Sequence, residues 1–220
     1  MTVNHRHLVL LTLYAIAMAQ VEASVVVHLR SIYYPDNPLA IFPLSLLSHR
    51  DLAIELIREV ATVVMILSVA FLGGRKRGQV FAEFVYVFGL WDIFYYIWLK
   101  LMLGWPQAWR EWDVLFLIPW PWLGPWLAPA LIALLFVVWG AWVIVTGARV
   151  NYSRTYVLLF MTGALLALFA FLLPAAPLLL QGEAAFLHFQ PHGFLWWWYA
   201  AGLLLMAMSL LQLARTATRK

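Results

Sequence analysis

The 220-residue chain contains no cysteine. Disulfides, thiolate metal sites, Cys-ligated iron–sulfur clusters and covalently attached c-type haem are therefore excluded, and any metal must be held by His, Asp, Glu, Met, Tyr or backbone oxygen. Charge is scarce as well: 11% of residues are Asp, Glu, Lys or Arg, against 65% hydrophobic, and the mean hydropathy is +0.86. A domain with a solvated surface cannot be made from that composition, so the chain reads as an integral membrane protein in contact with the lipid bilayer. It has no Walker A loop, Rossmann glycine fingerprint, HExxH or GxSxG, which leaves soluble-style nucleotide or serine chemistry without support. The net charge of +4 does not point to nucleic acid, because the basic residues sit in short tracts beside apolar spans, the pattern of membrane orientation. No repeat of fixed period and no extramembrane domain is visible, so residues 1–220 read as one transmembrane domain.

What the sequence has in abundance is long apolar runs. A hydrocarbon core of roughly 30 Å needs about 20 apolar residues in a helix. Six stretches qualify, at about 8–29, 51–73, 80–103, 126–147, 155–173 and 194–214, which predicts an all-α bundle of six transmembrane helices. The opening "MTVNHRHLVLLTLYAIAMAQ" has the basic start, apolar run and small-x-small site of a signal peptide, yet it is expected to be retained and to continue as a full span. Arg6, the tract Arg75, Lys76 and Arg77, the pair Arg149 and Arg154, and the tail with Arg215, Arg219 and Lys220 all fall on one side of a six-span arrangement. By the positive-inside rule that side is the cytoplasm, with both termini there and a bacterial inner membrane as the expected location. The opposite connectors, "SIYYPDNPLAIFPLSLLSH", "GWPQAWREWDVLFLIPWPWLGP" and "PAAPLLLQGEAAFLHFQPHG", are long and rich in Pro and aromatics. They are expected to lie on the outer interface and to form a lid over the bundle.

Ionisable residues inside a span must pair or face a cavity, and here they are concentrated in the first three spans: Glu22 in the first, Glu55, Arg58 and Glu59 in the second, Glu83, Asp92 and Lys100 in the third. At about 1.5 Å of rise per residue, Glu22, Glu55, Arg58, Glu59 and Asp92 fall near one layer, in or bordering the outer half of the membrane. Glu55, Arg58 and Glu59 share one helical face, and Gly89, Asp92, Tyr96 and Lys100 follow a similar stripe. Glu83 is expected at the cytoplasmic edge, within reach of Arg75, Lys76 or Arg77. One reading is a salt-bridged network that sets helix register, with Arg58 neutralising two carboxylates. The other starts from the surplus of negative charge, which survives even if Lys100 joins, and which has to be protonated, hydrated or bound to a cation.

His5 and His7 are expected to be solvated at the cytoplasmic surface. His28, His49, His188 and His192 all fall on the outer side, and the last two are spaced i, i+4, although Pro191 between them argues against a regular helix. His28 and His49 could approximate the axial ligands of a haem b. His28, His49, Glu55 and Glu59, joined by His188 and His192, could instead hold non-haem Fe, Mn or Zn. Most of the 13 Trp residues fall near the outer interface, either as an aromatic belt or as walls for a flat cofactor, a quinone or a lipid chain, with Tyr96 and Trp112 as candidate cofactor contacts. Asp113 can reach that layer from the lid. The leading expectation is a membrane metalloprotein or redox subunit. In it, Glu22, Glu55, Glu59 and Asp92 serve as ligands or proton relays, and Arg58 balances their charge. The alternatives are a non-catalytic anchor or accessory subunit that docks a protein partner or a second copy through its aromatic outer face, and a small cation or proton transporter.

Overall fold

The computed structural model describes residues 3–36, 48–74, 76–148, 150, 152–181, 185, 189, 191 and 193–218. It contains α1 (Val3–Tyr33), α2 (His49–Gly73), α3 (Arg77–Leu103), β1 (Trp112–Phe116), β2 (Trp122–Pro125), α4 (Leu127–Thr146), α5 (Arg154–Leu172), α6 (Ala176–Gln181) and α7 (Trp196–Thr218). Six of these helices, α1 to α5 and α7, are long and apolar enough to cross a membrane. They coincide with the six expected spans, and the chain is a multi-pass membrane protein.

Helix ends follow local chemistry. Ser48 caps α2, its hydroxyl accepting the Asp51 N–H at 3.1 Å, which satisfies an otherwise unpaired donor. Gly104 ends α3 at φ +71° and Gly147 ends α4 at φ +64°, left-handed positions where a side chain would be strained. Lys100 turns back to donate to the carbonyls of Gly104 at 3.0 Å and Pro106 at 2.8 Å. Its charge thus serves the C-terminus of α3 rather than the acidic layer.

Contacts at both ends set the directions of the first three helices. His7 of α1 and Glu83 of α3 are 3.1 Å apart, beside Gly73 at the end of α2. At the other end, Tyr33 of α1 donates to Asp51 of α2 at 2.6 Å. Hence α1 and α3 run parallel and α2 antiparallel to both, with α3 packed closely against α1 and α4. Gly89 and Gly140 make the α3–α4 approach possible: a Cβ on Gly89 would lie 2.5 Å from the Ala133 carbonyl oxygen, and one on Gly140 2.7 Å from that of Ala82. In a bilayer, where lipid competes for every apolar surface, such backbone proximity is what holds helices together.

The α5–α7 pair is built the same way. A Cβ on Gly163 would stand 2.6 Å from the Gly202 carbonyl oxygen, and one on Gly202 2.5 Å from that of Gly163. Buried hydrogen bonds tie α7 to its neighbours: Tyr199 to the Ala128 carbonyl at 2.7 Å, Trp139 to that of Leu210 at 3.0 Å, and Ser209 to that of Tyr156 at 2.7 Å.

The connector after α3 departs from the expected plain interfacial loop. β1 and β2 pair antiparallel, with Trp112 opposite Pro125, Asp113 opposite Gly124 and Val114 opposite Leu123. Trp122 lies against Phe171 with ring centroids 6.2 Å apart, while Trp112 contacts Phe194 at 6.0 Å. These indoles are fastened to α5 and the start of α7 rather than spread along the outer surface, whereas Trp197 at 89% exposure and Trp109 at 53% do face outward.

Gly202→Val is expected to destabilise the protein by about 1–3 kcal/mol, because backbone on α5 cannot swing aside. Thermal denaturation in mild detergent should show a lower Tm, while Gly193→Ala, with nothing within 4 Å of an added Cβ, should melt as the parent does.

Candidate functional site: an acidic cavity closed by a hairpin

Glu22, Glu55, Arg58, Glu59 and Asp92 line one cavity of about 80 Å³, together with Arg30, Thr62, Trp91, Tyr95, Tyr96 and residues Asp113–Leu117 of the hairpin segment. That volume holds several waters at roughly 15 Å³ of accessible space each. It is too small for a flat cofactor the size of haem.

Arg58 is the central cation. It contacts Glu22 across the gap between α1 and α2, and its Nε and Nη2 donate to Glu55 Oε2 at 2.9 and 2.7 Å. Glu22 also accepts from Thr62 at 3.3 Å. The i, i+3 spacing of Glu55 and Arg58 makes their bond local, whereas Glu22 arrives from α1 by packing. A second cation, Arg30, is 1% exposed. It donates to Asp113 Oδ1 at 3.3 Å and lies 4.8 Å from the centre of the Trp105 ring, an arrangement of the cation–π type. Tyr96 donates to the other Asp113 oxygen at 3.4 Å. Burial pushes the Asp113 carboxyl above its usual range, and the Arg30 guanidinium opposes that shift.

Glu59 has a different partner. Both of its oxygens accept from the backbone N–H of Leu117 at 3.0 Å, so the carboxylate anchors the segment that follows β1. Asp92 differs again, since its buried Oδ2 has no hydrogen-bond partner. The indole N–H of neighbouring Trp91 is likewise unpaired.

The structure thus brings five acidic side chains, Glu22, Glu55, Glu59, Asp92 and Asp113, around one space that contains two guanidiniums. Tyr96 joins them. Trp112 does not, being held in the aromatic cluster of α5 and α7. His28 stands on an exposed face of α1, its Nδ1 at 2.7 Å from the Ser24 carbonyl oxygen, and His49 is exposed at the start of α2; neither lines the cavity. His188 and His192 lie outside the described residues. Among the described residues no group of three or more His, Asp or Glu side chains converges as metal ligands would. His28 and His49 are therefore not gathered with Glu55 and Glu59, since both imidazoles are exposed and neither lines the cavity that the carboxylates share.

Two assignments change for packing reasons. Lys100 is replaced by Arg30 as the second cation of the layer; a signal was present, since Glu22, Val26 and Arg30 recur every four residues on one face of α1. Glu83 is paired with His7 rather than with Lys76 or Arg77, and Arg75 lies outside the described residues. The backbone N–H of Leu117 had no sequence signal, because any residue carries one.

No protein-family model, no curated protein and no solved structure matches the chain.

Removing Arg58 strands two carboxylates. Because Arg58 is 22% exposed, Arg58→Leu is expected to lower unfolding free energy by roughly 3 kcal/mol, the lower end of the range for breaking a buried pair. Glu55→Gln should cost less, since Arg58 keeps Glu22. Adding Glu22→Leu and Glu55→Leu to Arg58→Leu should restore most of the loss in denaturant titrations, and continued instability of the triple variant would refute this account.

Proposed function

We propose that the protein is a small ion-handling membrane protein that takes up and releases protons or a monovalent cation at the carboxylates of the cavity. The observation that carries this reading is the imbalance around one cavity: five carboxylates against two guanidiniums. Arg58 is shared by two acids and Arg30 is engaged by a third, so Glu59 and Asp92 have no cation of their own. Negative charge at that depth has to be neutralised by protons or by a bound cation, and groups of this kind mark proton relays and cation paths. Asp92 is the exchanging group of this proposal, because its buried oxygen has no hydrogen-bond partner within the protein. Glu59 would couple exchange to the hairpin through Leu117.

The ion-handling alternative is favoured over the metalloprotein or redox expectation because the imidazoles of His28 and His49 stand away from the carboxylates. The positive-inside pattern supports cytoplasmic termini, which puts the cavity and hairpin toward the outer leaflet of, in this proposal, a bacterial inner membrane. A second reading, a non-catalytic anchor, draws support from Arg58 itself, whose two carboxylate partners clasp α1 to α2 as a structural bridge would.

The test is an infrared difference spectrum of the purified protein in lipid, recorded between about pH 5 and about pH 9, and with and without Na⁺ or K⁺ at fixed pH. A protonated-carboxyl band that responds to pH or cation, and is lost in Asp92→Asn, is the expected result. An unresponsive carboxyl region in the wild type would leave the anchor reading in possession.

A further inference from the structure

A second set of buried polar groups lies at the opposite end of α1 and α3, remote from the cavity. Glu83 is 4% exposed. One of its oxygens is 3.1 Å from His7 Nε2, and the other has no hydrogen-bond partner. One turn further along, Tyr86 is 5% exposed and its hydroxyl is 2.7 Å from that of Thr12. The Thr12 hydroxyl donates to the Leu8 carbonyl at 2.8 Å, so Tyr86 is the donor of the shared bond.

Beyond Tyr86 the interface becomes apolar. Ala15, Met18, Ala19, Ile66, Val87 and Leu90 form a buried cluster with Tyr86. Trp91 belongs to this cluster and also lines the cavity, and its indole N–H has no acceptor. From Tyr86 to Asp92 α3 rises about 9 Å at 1.5 Å per residue, and the two side chains stand about 120° apart around it.

We propose that His7, Glu83, Thr12 and Tyr86 form one arm of a proton path that runs along the α1–α3 interface and ends at Asp92 in the acidic cavity. This rests on the ion-handling reading of that cavity and names the proton as the ion. His7 and Glu83 exchange a proton with the aqueous phase at the end of the bundle where the chain begins. The hydroxyls of Tyr86 and Thr12 pass a proton by accepting one on a lone pair and releasing their own, so each hydroxyl is regenerated. The apolar cluster keeps the path closed when dry. A file of several waters at hydrogen-bond spacing has to follow that rise and turn to reach Asp92, with the Trp91 N–H available to one of them. A purely structural role for these pairs would account for their burial. It would not require the lone oxygens of Glu83 and Asp92 and the lone Trp91 N–H to fall at successive depths along α3 between the chain-start end of the bundle and the cavity.

The experiment is proton flux into proteoliposomes containing a pH-sensitive dye, driven by a valinomycin-set potential. It is run beside the infrared titration of the cavity. Glu83→Gln and Tyr86→Phe are each expected to reduce flux about tenfold or more while the carboxyl bands assigned to the cavity stay as in the wild type. Ser68→Ala, which removes an exposed hydroxyl bonded to the Val64 carbonyl, should leave flux unchanged; should Tyr86→Phe not fold, Thr12→Val takes its place. Wild-type flux that persists in Glu83→Gln and Tyr86→Phe would overturn the path while leaving the cavity reading intact. A wild type that conducts no faster than empty liposomes would overturn it as well, and in that case the infrared titration alone decides whether the cavity exchanges ions.

Discussion

The bundle depends on the sharing of Arg58 between Glu22 and Glu55. A guanidinium at membrane depth cannot be left to lipid, and neither can a carboxylate. Once the sequence places Arg58 two turns into α2, α1 has to present Glu22 to it, and α3 closes the remaining side with Asp92 and Tyr96. The charged layer therefore determines which faces of the first three helices turn inward, a choice that apolar packing alone leaves weakly specified in a bilayer.

The hairpin solves a second problem with the same groups. A β-ribbon has backbone donors along its free edges, and a donor near the hydrocarbon needs an acceptor within the protein. Glu59 accepts from Leu117 and Asp113 accepts from Arg30 and Tyr96. Each carboxylate thereby supplies what the other element lacks. The lid is held by charge at one edge and by aromatic stacking on α5 and α7 at the other. These two attachments differ in kind, since the polar one can change with protonation whereas the aromatic one cannot.

The remaining helices form a contrasting half. Residues of α4, α5 and α7 meet through glycine contacts and buried hydrogen bonds to backbone carbonyls, without an ion pair among those described. An apolar half beside a charged half is a physical arrangement in which protons or cations can alter one side without breaking the contacts of the other. In the proposed function α4, α5 and α7 act as the frame, and movement or charge exchange is confined to α1 to α3 and the hairpin.

Membrane residence, the six spans and the approach of Glu22, Glu55, Arg58, Glu59 and Asp92 to one layer were legible in the sequence, because hydropathy, the rise per residue and the helical period are local quantities. What only the tertiary structure decided was who partners whom. Arg30 rather than Lys100 completes the layer, and Arg30 and Asp113 are 83 residues apart. The Thr12–Tyr86 bond spans 74 residues. The hairpin, too, was hidden, because its strands are short and its main anchor is a backbone N–H that carries no residue-specific signal. His28 and His49 do lie toward the ends of their helices, yet both are exposed and neither reaches the cavity that the carboxylates line. Depth along a helix follows from counting residues, but its rotation is settled only when neighbouring helices bury their charges against one another.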